Sequence, residues 1–173
     1  MINHLGAPDT SAWLIDEASR DATLAEFDLD SMQSGGQLDR ITAFAAELCG
    51  APIALVSLVE RDRQFFVART GLAVCETPRA TSFCQFAMLE SDVMVVPDAT
   101  KDPRFADNAL VTGDPYIRFY AGAPLVSDGG VPLGSLCVID RTPRAGLTDL
   151  QYHGLQVLAE AVSAAFRAHR TIV

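Results

Sequence analysis

The stretch from Met94 to Leu125 constrains the fold most, because it cannot form a single helix or strand. A short apolar run, Met94–Val96, ends at Pro97, and a long segment rich in Asp, Pro, Asn and Gly follows before apolar residues resume at Phe119. Connections of this length inside a compact domain are usually functional or disordered. This one contains several aromatic and arginine side chains, which are scarce in disordered linkers. We therefore predict a folded cap over a sheet, with a pocket beneath the cap.

The size and charge of the chain limit its partners. The 173 residues are 49% hydrophobic and carry a formal net charge of −9. A chain of this length can bury the core of one domain. Nucleic acid is bound by basic surfaces, and anionic membrane surfaces attract basic segments as well. We expect neither nucleic acid nor membrane as a partner.

The cysteines indicate the redox compartment. Cys49, Cys75, Cys84 and Cys137 form no CxxC pair, and no histidine lies at a metal-ligand spacing. The N-terminus lacks the basic and apolar blocks of a signal peptide, and no apolar run approaches the length of a membrane span. The pattern favours free thiols in a cytoplasmic protein without a metal site.

Helical patterns occur near both ends of the chain. Apolar spacing predicts a modest helix over Trp13–Phe27, a turn or linker over Ser31–Gln37, and a clearer helix over Leu38–Leu48. Thr148–Gln151 has the form of a capping box and opens a final helix that reaches about His169. This last helix carries two apolar stripes. Because one stripe is enough to cover a sheet, the other is available to a partner.

The middle of the chain predicts an antiparallel sheet. Five strands are expected, with a loop at 71–79 and a short helix at 81–89 that Thr81 or Ser82 caps. The strands are Ile53–Val59, Gln64–Ala68, Val93–Val96, Tyr120–Val126 and Pro132–Asp140. Local hairpins give antiparallel pairing, and Asp128-Gly129-Gly130 suits a tight turn between the last two strands. The fold class is α+β, with terminal helices on one sheet face and the cap on the other.

A set of phrases along the chain carries a resemblance to a known family. The phrases are LDRI at 38–41, PIALVSLV at 52–59, ETPR at 76–79 before SFC at 82–84, VVPDATKDPRF at 95–105, ADNALVTG at 106–113, IRFYAGAPL at 117–125 and LGSLCVID at 133–140. Together they resemble the GAF domain, of the type attached to bacterial histidine kinases and diguanylate cyclases. The resemblance spans roughly residues 38–168.

The resemblance implies a GAF-like fold with a central antiparallel sheet of five or six strands. It implies a GAF domain at 37–170, preceded by a helical extension and linker at 1–36. The implied function is that of a sensory or regulatory module of bacterial signal transduction. Such a module binds a small molecule between sheet and cap and signals through its terminal helices as a homodimer, with a histidine kinase or cyclase as output partner. The motifs identify no ligand or cofactor, and bilin is disfavoured because no cysteine here has a histidine beside it.

Two alternatives to a non-enzymatic sensor stay open. Some small stand-alone GAF proteins reduce free methionine sulfoxide with cysteine chemistry, and in this chain only Cys84 as nucleophile and Cys75 as resolving thiol would suit that reaction. The motifs typical of those reductases are not recognisable. In the other alternative the pocket is empty, and the domain serves as a dimerising spacer.

Eight residues are candidate ligand contacts. They are Ser82, Cys84, Asp98, Arg104, Asn108, Tyr116, Arg118 and Tyr120. Tyrosine rings with a polar tip suit flat ligands. Cys84 lies in the first turns of the predicted short helix, where the helix dipole favours a thiolate, although it also fits a small buried hydrophobe. Cys137 lies in an apolar strand and is expected in the core.

The two arginines of the cap allow two interpretations. Arg104 and Arg118 could form an anion clamp for a ligand carboxylate or phosphate. They could instead hold the cap in place by binding its own carbonyl groups and the carboxylates of Asp98, Asp102 or Asp107. Asp98 fits a turn-former or a partner of one arginine, and Asn108 fits a cap.

Overall fold

The computed structural model describes residues 16–34 and 36–171. Its strands are β1 (Ile53–Val59), β2 (Arg63–Thr70), β3 (Glu76–Pro78), β4 (Met94–Val96), β5 (Phe119–Val126) and β6 (Pro132–Asp140). Its α-helices are α1 (Glu17–Leu24), α2 (Leu29–Ser34), α3 (Gln37–Cys49), α4 (Cys84–Ala87), α5 (Ala109–Thr112) and α6 (Asp149–Ala168). Within these ranges, no helix is both long and apolar enough to cross a membrane.

The strands form one sheet in the order β3-β2-β1-β6-β5-β4, and every neighbouring pair is antiparallel. The two central strands, β1 and β6, come from distant parts of the chain, and they pair from Ile53 opposite Ile139 to Leu58 opposite Gly134. All seven residues of β1 are buried, because layers cover both faces of the sheet. The predicted α+β fold with an antiparallel sheet of five or six strands is confirmed.

Alternating side chains divide the interior into two apolar clusters. On β1, Ala54, Val56 and Leu58 belong to the cluster beneath the helices, whereas Ile53 and Leu55 belong to the cluster beneath the cap. This division follows from the period of two along a strand. The sheet therefore has a helix face and a cap face.

Helices α3 and α6 cover the helix face. Leu38 and Ala45 of α3 and Leu155 and Val162 of α6 are buried in the same cluster. Gly154 of α6 lies directly against the side chain of Leu48, where a β-carbon would collide with a methyl group. The absence of that β-carbon lets the two helices approach closely. The predicted capping box of α6 is present, since Thr148 accepts from the Gln151 amide and the Gln151 side chain accepts from the Thr148 amide.

Three predicted segments differ from the structure. The expected loop at 71–79 contains β3, whose pairing with β2 is a tertiary contact that the sequence pattern does not show. The expected helix at 81–89 is shortened to α4, because Ser82 keeps an extended backbone and is preceded by a 3-10 turn at Arg79–Thr81. The expected turn at Ser31–Gln37 is largely replaced by α2, which buries Met32 in the core.

The N-terminal segment packs onto the domain through a buried arginine. The expected helix at Trp13–Phe27 is α1 within the described residues, and Trp13 lies outside them. The Arg20 side chain is fully buried, and its guanidinium donates to the backbone carbonyls of Val59 and Pro132. These carbonyls lie at the end of β1 and the start of β6. Arg20 thus attaches α1 to the end of the sheet at which β1 ends and β6 begins.

The same segment also contacts the end of the last helix. Phe27 forms an antiparallel bridge with Arg170, and the amide of Asp28 donates to the carbonyl of His169 at 3.1 Å. The amide of Thr171 donates to the carbonyl of Glu26 at 2.6 Å. The segment between α1 and α2 is therefore hydrogen-bonded to the residues that follow α6.

We predict that Arg20→Met destabilises the protein by about 3 kcal/mol, because it leaves a buried carbonyl (Val59) and a partly buried one (Pro132) without a charged donor. Arg61→Met is the matched control. It also removes an arginine that contacts α1, through an ion pair with Asp21 at 2.8 Å, but both partners are exposed. The control should cost less than about 1 kcal/mol. Urea unfolding of both variants measures the difference, and equal losses would contradict the assigned role of Arg20.

Candidate ligand-binding site

A cavity of about 270 Å³ lies between the cap face of the sheet and the segments that cover it. Its walls are mainly apolar and include Ile53, Leu55 and Phe66 from the sheet and Ile117 from the cap. Val74, an exposed residue that also lines the cavity, marks its opening to solvent. A larger groove of about 640 Å³ lies outside this region, between the N-terminal helices and the β1–β2 turn.

A cluster of thiol and hydroxyl groups lies at the sheet side of the cavity. The hydroxyl of Tyr120 is 3.1 Å from Sγ of Cys84 and 3.0 Å from Oγ of Ser135. Sγ of Cys84 is 3.9 Å from Sγ of Cys137. All four side chains are buried. Cys84, Tyr120 and Cys137 line the cavity directly. We call these four residues the thiol–hydroxyl cluster.

Ser57 lies next to this cluster across the central strand pair. It stands opposite Ser135 in the register of β1 and β6. Its hydroxyl oxygen is buried and has no hydrogen-bond partner among the described residues. A buried hydroxyl without a partner is energetically unfavourable. The Ser57 hydroxyl nevertheless lies near the Cys84 thiol and contributes to lowering its pKa.

The position of Tyr120 depends on Gly122 and on the cap. A β-carbon on Gly122 would collide with the hydroxyl and ring atoms of Tyr120, so only glycine lets the ring lie along the strand. From the cap side, the ring of Phe83 lies 5.2 Å from the Tyr120 ring and stacks on Phe105 at 4.0 Å, measured between centroids. Sheet and cap together hold the Tyr120 hydroxyl against Cys84.

The cluster changes the acidity of its thiols. Burial raises the pKa of Cys84, but hydrogen bonds with Cys137, Ser135 and Tyr120 outweigh burial and lower that pKa to about 7. For Cys137, the hydrogen bond with Cys84 and burial raise the pKa well above its usual value. From the sequence, the dipole of the predicted short helix was the expected cause of a thiolate at Cys84. Helix α4 has only four residues, so the hydrogen-bonding neighbours are the stronger cause.

Of the eight predicted ligand contacts, Cys84 and Tyr120 line the cavity. Ser82 lies beside it, buried, and its hydroxyl donates to the side-chain oxygen of Gln64, which is a lining residue. Tyr116 is 51% exposed and does not line the cavity. The structure thus brings three of the eight residues to the cavity or its border.

The remaining four predicted contacts bind groups within the cap and do not line the cavity. Arg118 donates to the carbonyls of Val111 at 2.9 Å and Ile117 at 3.0 Å. Arg104 pairs with Asp102 at 2.8 Å. This geometry matches the interpretation in which the two arginines hold the cap in place.

The other two polar residues of this group act as local caps. The carboxylate of Asp98 accepts from the amide of Thr100 at 3.0 Å. The side chain of Asn108 accepts from the amide of Leu110 at 2.9 Å and donates to the carbonyl of Thr81 at 3.1 Å. Asn108 therefore joins the long connection to the segment that precedes α4.

Sequence reasoning missed several cavity residues. Cys137 is in the core as expected, but it also lines the cavity. Gln64 lines it as well. Ser135 and Ser57 do not line it but lie next to the lining residues Tyr120 and Cys84, respectively. One signal was present, since each of the two serines interrupts an apolar strand at a position that faces the cap. Among the described residues, no group of three or more His, Cys, Asp or Glu side chains could hold a metal ion.

We predict that Tyr120→Phe raises the pKa of Cys84 above its value of about 7, because the variant removes a hydrogen bond that stabilises the thiolate. The measurement is the pH dependence of Cys84 alkylation by iodoacetamide, followed by mass spectrometry. Tyr116→Phe, which alters an exposed tyrosine, is the control and should leave the profile unchanged. An unshifted profile for Tyr120→Phe would show that the hydroxyl does not stabilise the thiolate.

Comparisons with known proteins identify the fold and the family of the chain. The chain is 44% identical over 156 residues to a cyclic di-GMP phosphodiesterase of Pseudomonas aeruginosa, covering 90% of this chain and 27% of that protein. The chain therefore spans about a quarter of the length of this relative.

Two solved structures share the fold. Free methionine-R-sulfoxide reductase from Neisseria meningitidis, in complex with its substrate, aligns with a TM-score of 0.62 at 21% identity, covering 97% of this chain and 96% of that one. The GAF domain from an Acinetobacter phosphoenolpyruvate-protein phosphotransferase aligns with a TM-score of 0.61 at 15% identity, covering 87% of this chain and 92% of that one. At these identities the likeness concerns the fold alone.

The decisive comparison is with a family model that covers most of the chain. The model of the GAF domain matches residues 36–166. This range includes the whole sheet, the cap and nearly all of α6. The chain belongs to the GAF domain family.

Proposed function

We propose that this GAF domain, at 37–170 with the extension 1–36 before it, is a sensory module that binds a small molecule in the cavity between sheet and cap. The observation that carries the proposal is the cavity itself, an apolar pocket of about 270 Å³ with a few convergent polar groups. Pockets of this kind are the usual sites of small-molecule binding. The Cys84 thiol and the Tyr120 hydroxyl lie on one side of it, and Gln64 is a further polar lining residue.

The charges of the lining residues favour a neutral or cationic ligand. Glu76 and Asp114 line the cavity, and none of the lining residues is Arg or Lys. Glu76 forms an ion pair with Arg63, so part of its charge is balanced. Asp114 forms no ion pair with any residue in the described part of the chain. An anionic ligand would meet the Asp114 carboxylate with no lysine or arginine among the lining residues to balance it, and like charges repel.

The same charge argument disfavours cyclic di-GMP, the substrate in the name of the phosphodiesterase relative, as the ligand of this cavity. Cyclic di-GMP carries two phosphodiester groups, and such groups are usually bound by arginine or lysine. The arginines of the cap, Arg104 and Arg118, are bound to Asp102 and to backbone carbonyls outside the cavity. We propose that the domain is regulatory rather than catalytic, acting in the cytoplasm on a phosphodiesterase, cyclase or histidine kinase as output partner.

The proposed signal leaves through the terminal helices of a homodimer. Phe44 of α3 and Leu150 and Val157 of α6 are 54%, 73% and 63% exposed, respectively. Leu150 and Val157 are seven residues apart, which places them on one side of the helix. Ala161 and Ala164 continue that stripe toward the C-terminus. A second copy of the chain would bury this apolar surface, and a ligand would act by favouring one arrangement of the paired helices.

We predict that benzamidine binds the cavity more tightly than benzoate, because the two probes have the same flat shape and opposite charge. The measurement is the amide NMR shift of lining residues such as Leu72 and Ile117 during titration of each probe. Ala73→Trp, at an exposed lining position, should abolish the shifts by filling the opening. Ala145→Trp, at an exposed position that does not line the cavity, should preserve them.

Two other outcomes of this titration would contradict the proposal. Equal shifts with benzoate would contradict the charge argument. The absence of shifts with both probes, and of any extra mass on the freshly purified protein in native mass spectrometry, would contradict ligand binding. The empty dimerising spacer would then be the better description.

We predict that the protein is a dimer in native mass spectrometry and that Val157→Glu converts it to a monomer. The substitution places a charge in the centre of the exposed stripe, where a dimer would desolvate it. Val74→Glu is the matched control, because Val74 is also an exposed valine, at 51%, but lies at the cavity opening. A monomeric wild type, or a Val157→Glu variant that stays dimeric, would contradict this interface.

Reduction of free methionine sulfoxide is a second candidate function. It is favoured by a thiol of lowered pKa that lines a cavity, at Cys84. The proposed resolving thiol, Cys75, is exposed in the loop before β3, whereas the sulfur beside Cys84 belongs to Cys137. Turnover by the wild type that is lost in Cys84→Ser would support the reductase, and no turnover by the wild type would exclude it.

A further inference from the structure

Cys84 and Cys137 bring two sulfur atoms together from separate parts of the fold. Cys84 begins the short helix α4 on the cap side, and Cys137 lies in the central strand β6. The sulfurs are 3.9 Å apart and both side chains line the cavity. A ligand-binding role requires only one polar group at this place. The pairing of two thiols is a separate feature that the proposed function does not use.

We propose that Cys84 and Cys137 form a peroxide-sensitive thiol pair that closes to an intrachain disulfide. The proposal goes beyond ligand binding and does not depend on it, because it requires the two thiols and access for a small oxidant. It assigns the cavity a redox modification site as well as a binding site.

The geometry needs only a local adjustment. A disulfide has a sulfur–sulfur distance of about 2.05 Å, so the two atoms must approach by roughly 2 Å. β6 is hydrogen-bonded on both sides, to β1 and β5. Cys84 instead lies in a four-residue helix between irregular segments. A rotation of the Cys84 side chain with a small shift of α4 would close the gap, while β6 stays in place.

The proposed disulfide forms by oxidation in two steps. In the first step the Cys84 thiolate attacks one oxygen of hydrogen peroxide, the O–O bond breaks, and the departing hydroxide takes a proton to leave as water. In the second step the sulfur of Cys137 attacks the Cys84 sulfenic acid, an S–S bond forms, the S–O bond breaks and a second water leaves. In sum, two thiols lose two hydrogen atoms and one peroxide is reduced to two waters.

The other two cysteines provide an internal contrast. Cys49 is buried, and burial raises its pKa. Cys75 is exposed, so it can react with a second chain but is not placed against Cys84. The polar neighbours Tyr120 and Ser135 surround only the Cys84 sulfur and its partner. Selective oxidation of one pair is therefore expected.

The test uses Cys75→Ser in the full chain, which prevents crosslinks between chains. The four cysteines, less Cys75, leave three thiols. The folded protein is treated with hydrogen peroxide at a dose that oxidises free glutathione, then unfolded and labelled with N-ethylmaleimide. The expected result is a fall from three labels to one, and a tryptic crosslink between the peptides at 80–101 and 119–141. Dithiothreitol should restore three labels.

Two results would overturn the proposal. One is retention of three labels, and the other is a peroxide-treated protein in which Cys84 carries sulfinic acid while Cys137 remains labelled. Cys137→Ser in the same background is the matched variant, and it should give no crosslink and irreversible oxidation at Cys84. The restoration of three labels by dithiothreitol is measured in the Cys75→Ser protein, which keeps both buried cysteines. The proposal therefore stays testable if Cys137→Ser does not fold.

Discussion

The antiparallel pairing of β1 with β6 is the contact on which the rest of the structure depends. The two strands are far apart in sequence, and their pairing closes the sheet at its centre. Alternation along both strands then sends one set of side chains to the helices and the other to the cap. The same register places Ser57 opposite Ser135. A shift by one residue would exchange the two faces and remove the cavity floor.

Polar side chains of the cap bind backbone groups of the cap and of the segment before α4. Arg118, Asn108 and Asp98 each bind carbonyl or amide groups of the segments they join. These side chains are therefore occupied in holding the long connection over the sheet. Because these bonds hold the cap in place, little cap entropy would be lost when the proposed ligand binds. The polar groups that remain available to a ligand are therefore those of the sheet and of α4.

The N-terminal segment links the central strands to the end of the last helix. Arg20 donates to carbonyls of both β1 and β6, and Phe27 bridges to Arg170 a few residues further on. A change at the cavity floor, by ligand or by disulfide formation, acts on the same two strands that Arg20 holds. These contacts give the proposed signal a physical route from the site to the terminal helices.

The sequence alone determined the secondary structure where local patterns are strong. These patterns act over a few residues, so they predicted the order of the elements and the α+β class. They are the apolar runs of the strands, the β5–β6 turn at Asp128-Gly129-Gly130, the apolar periodicity of α3 and the capping box of α6. Short elements such as β3 and α4 could not be delimited, because their ends depend on contacts with distant residues. The resemblance to the GAF domain rested on phrases spread along the chain, and the family match confirms it.

Only the tertiary structure decided how the candidate site is composed. From the sequence we chose the arginines and polar turn residues of the long connection as candidate ligand contacts, Arg104 and Arg118 among them. Their partners are nearby carbonyls and carboxylates that compete with any ligand, and no local pattern reveals which partner prevails. Cys137, by contrast, has the signature of a core residue, and it lies beside Cys84 because helix α4 packs on the cap face of β6. The sequence shows which residue types could do chemistry, but the register of the sheet and the packing of the cap on it set the distances between them.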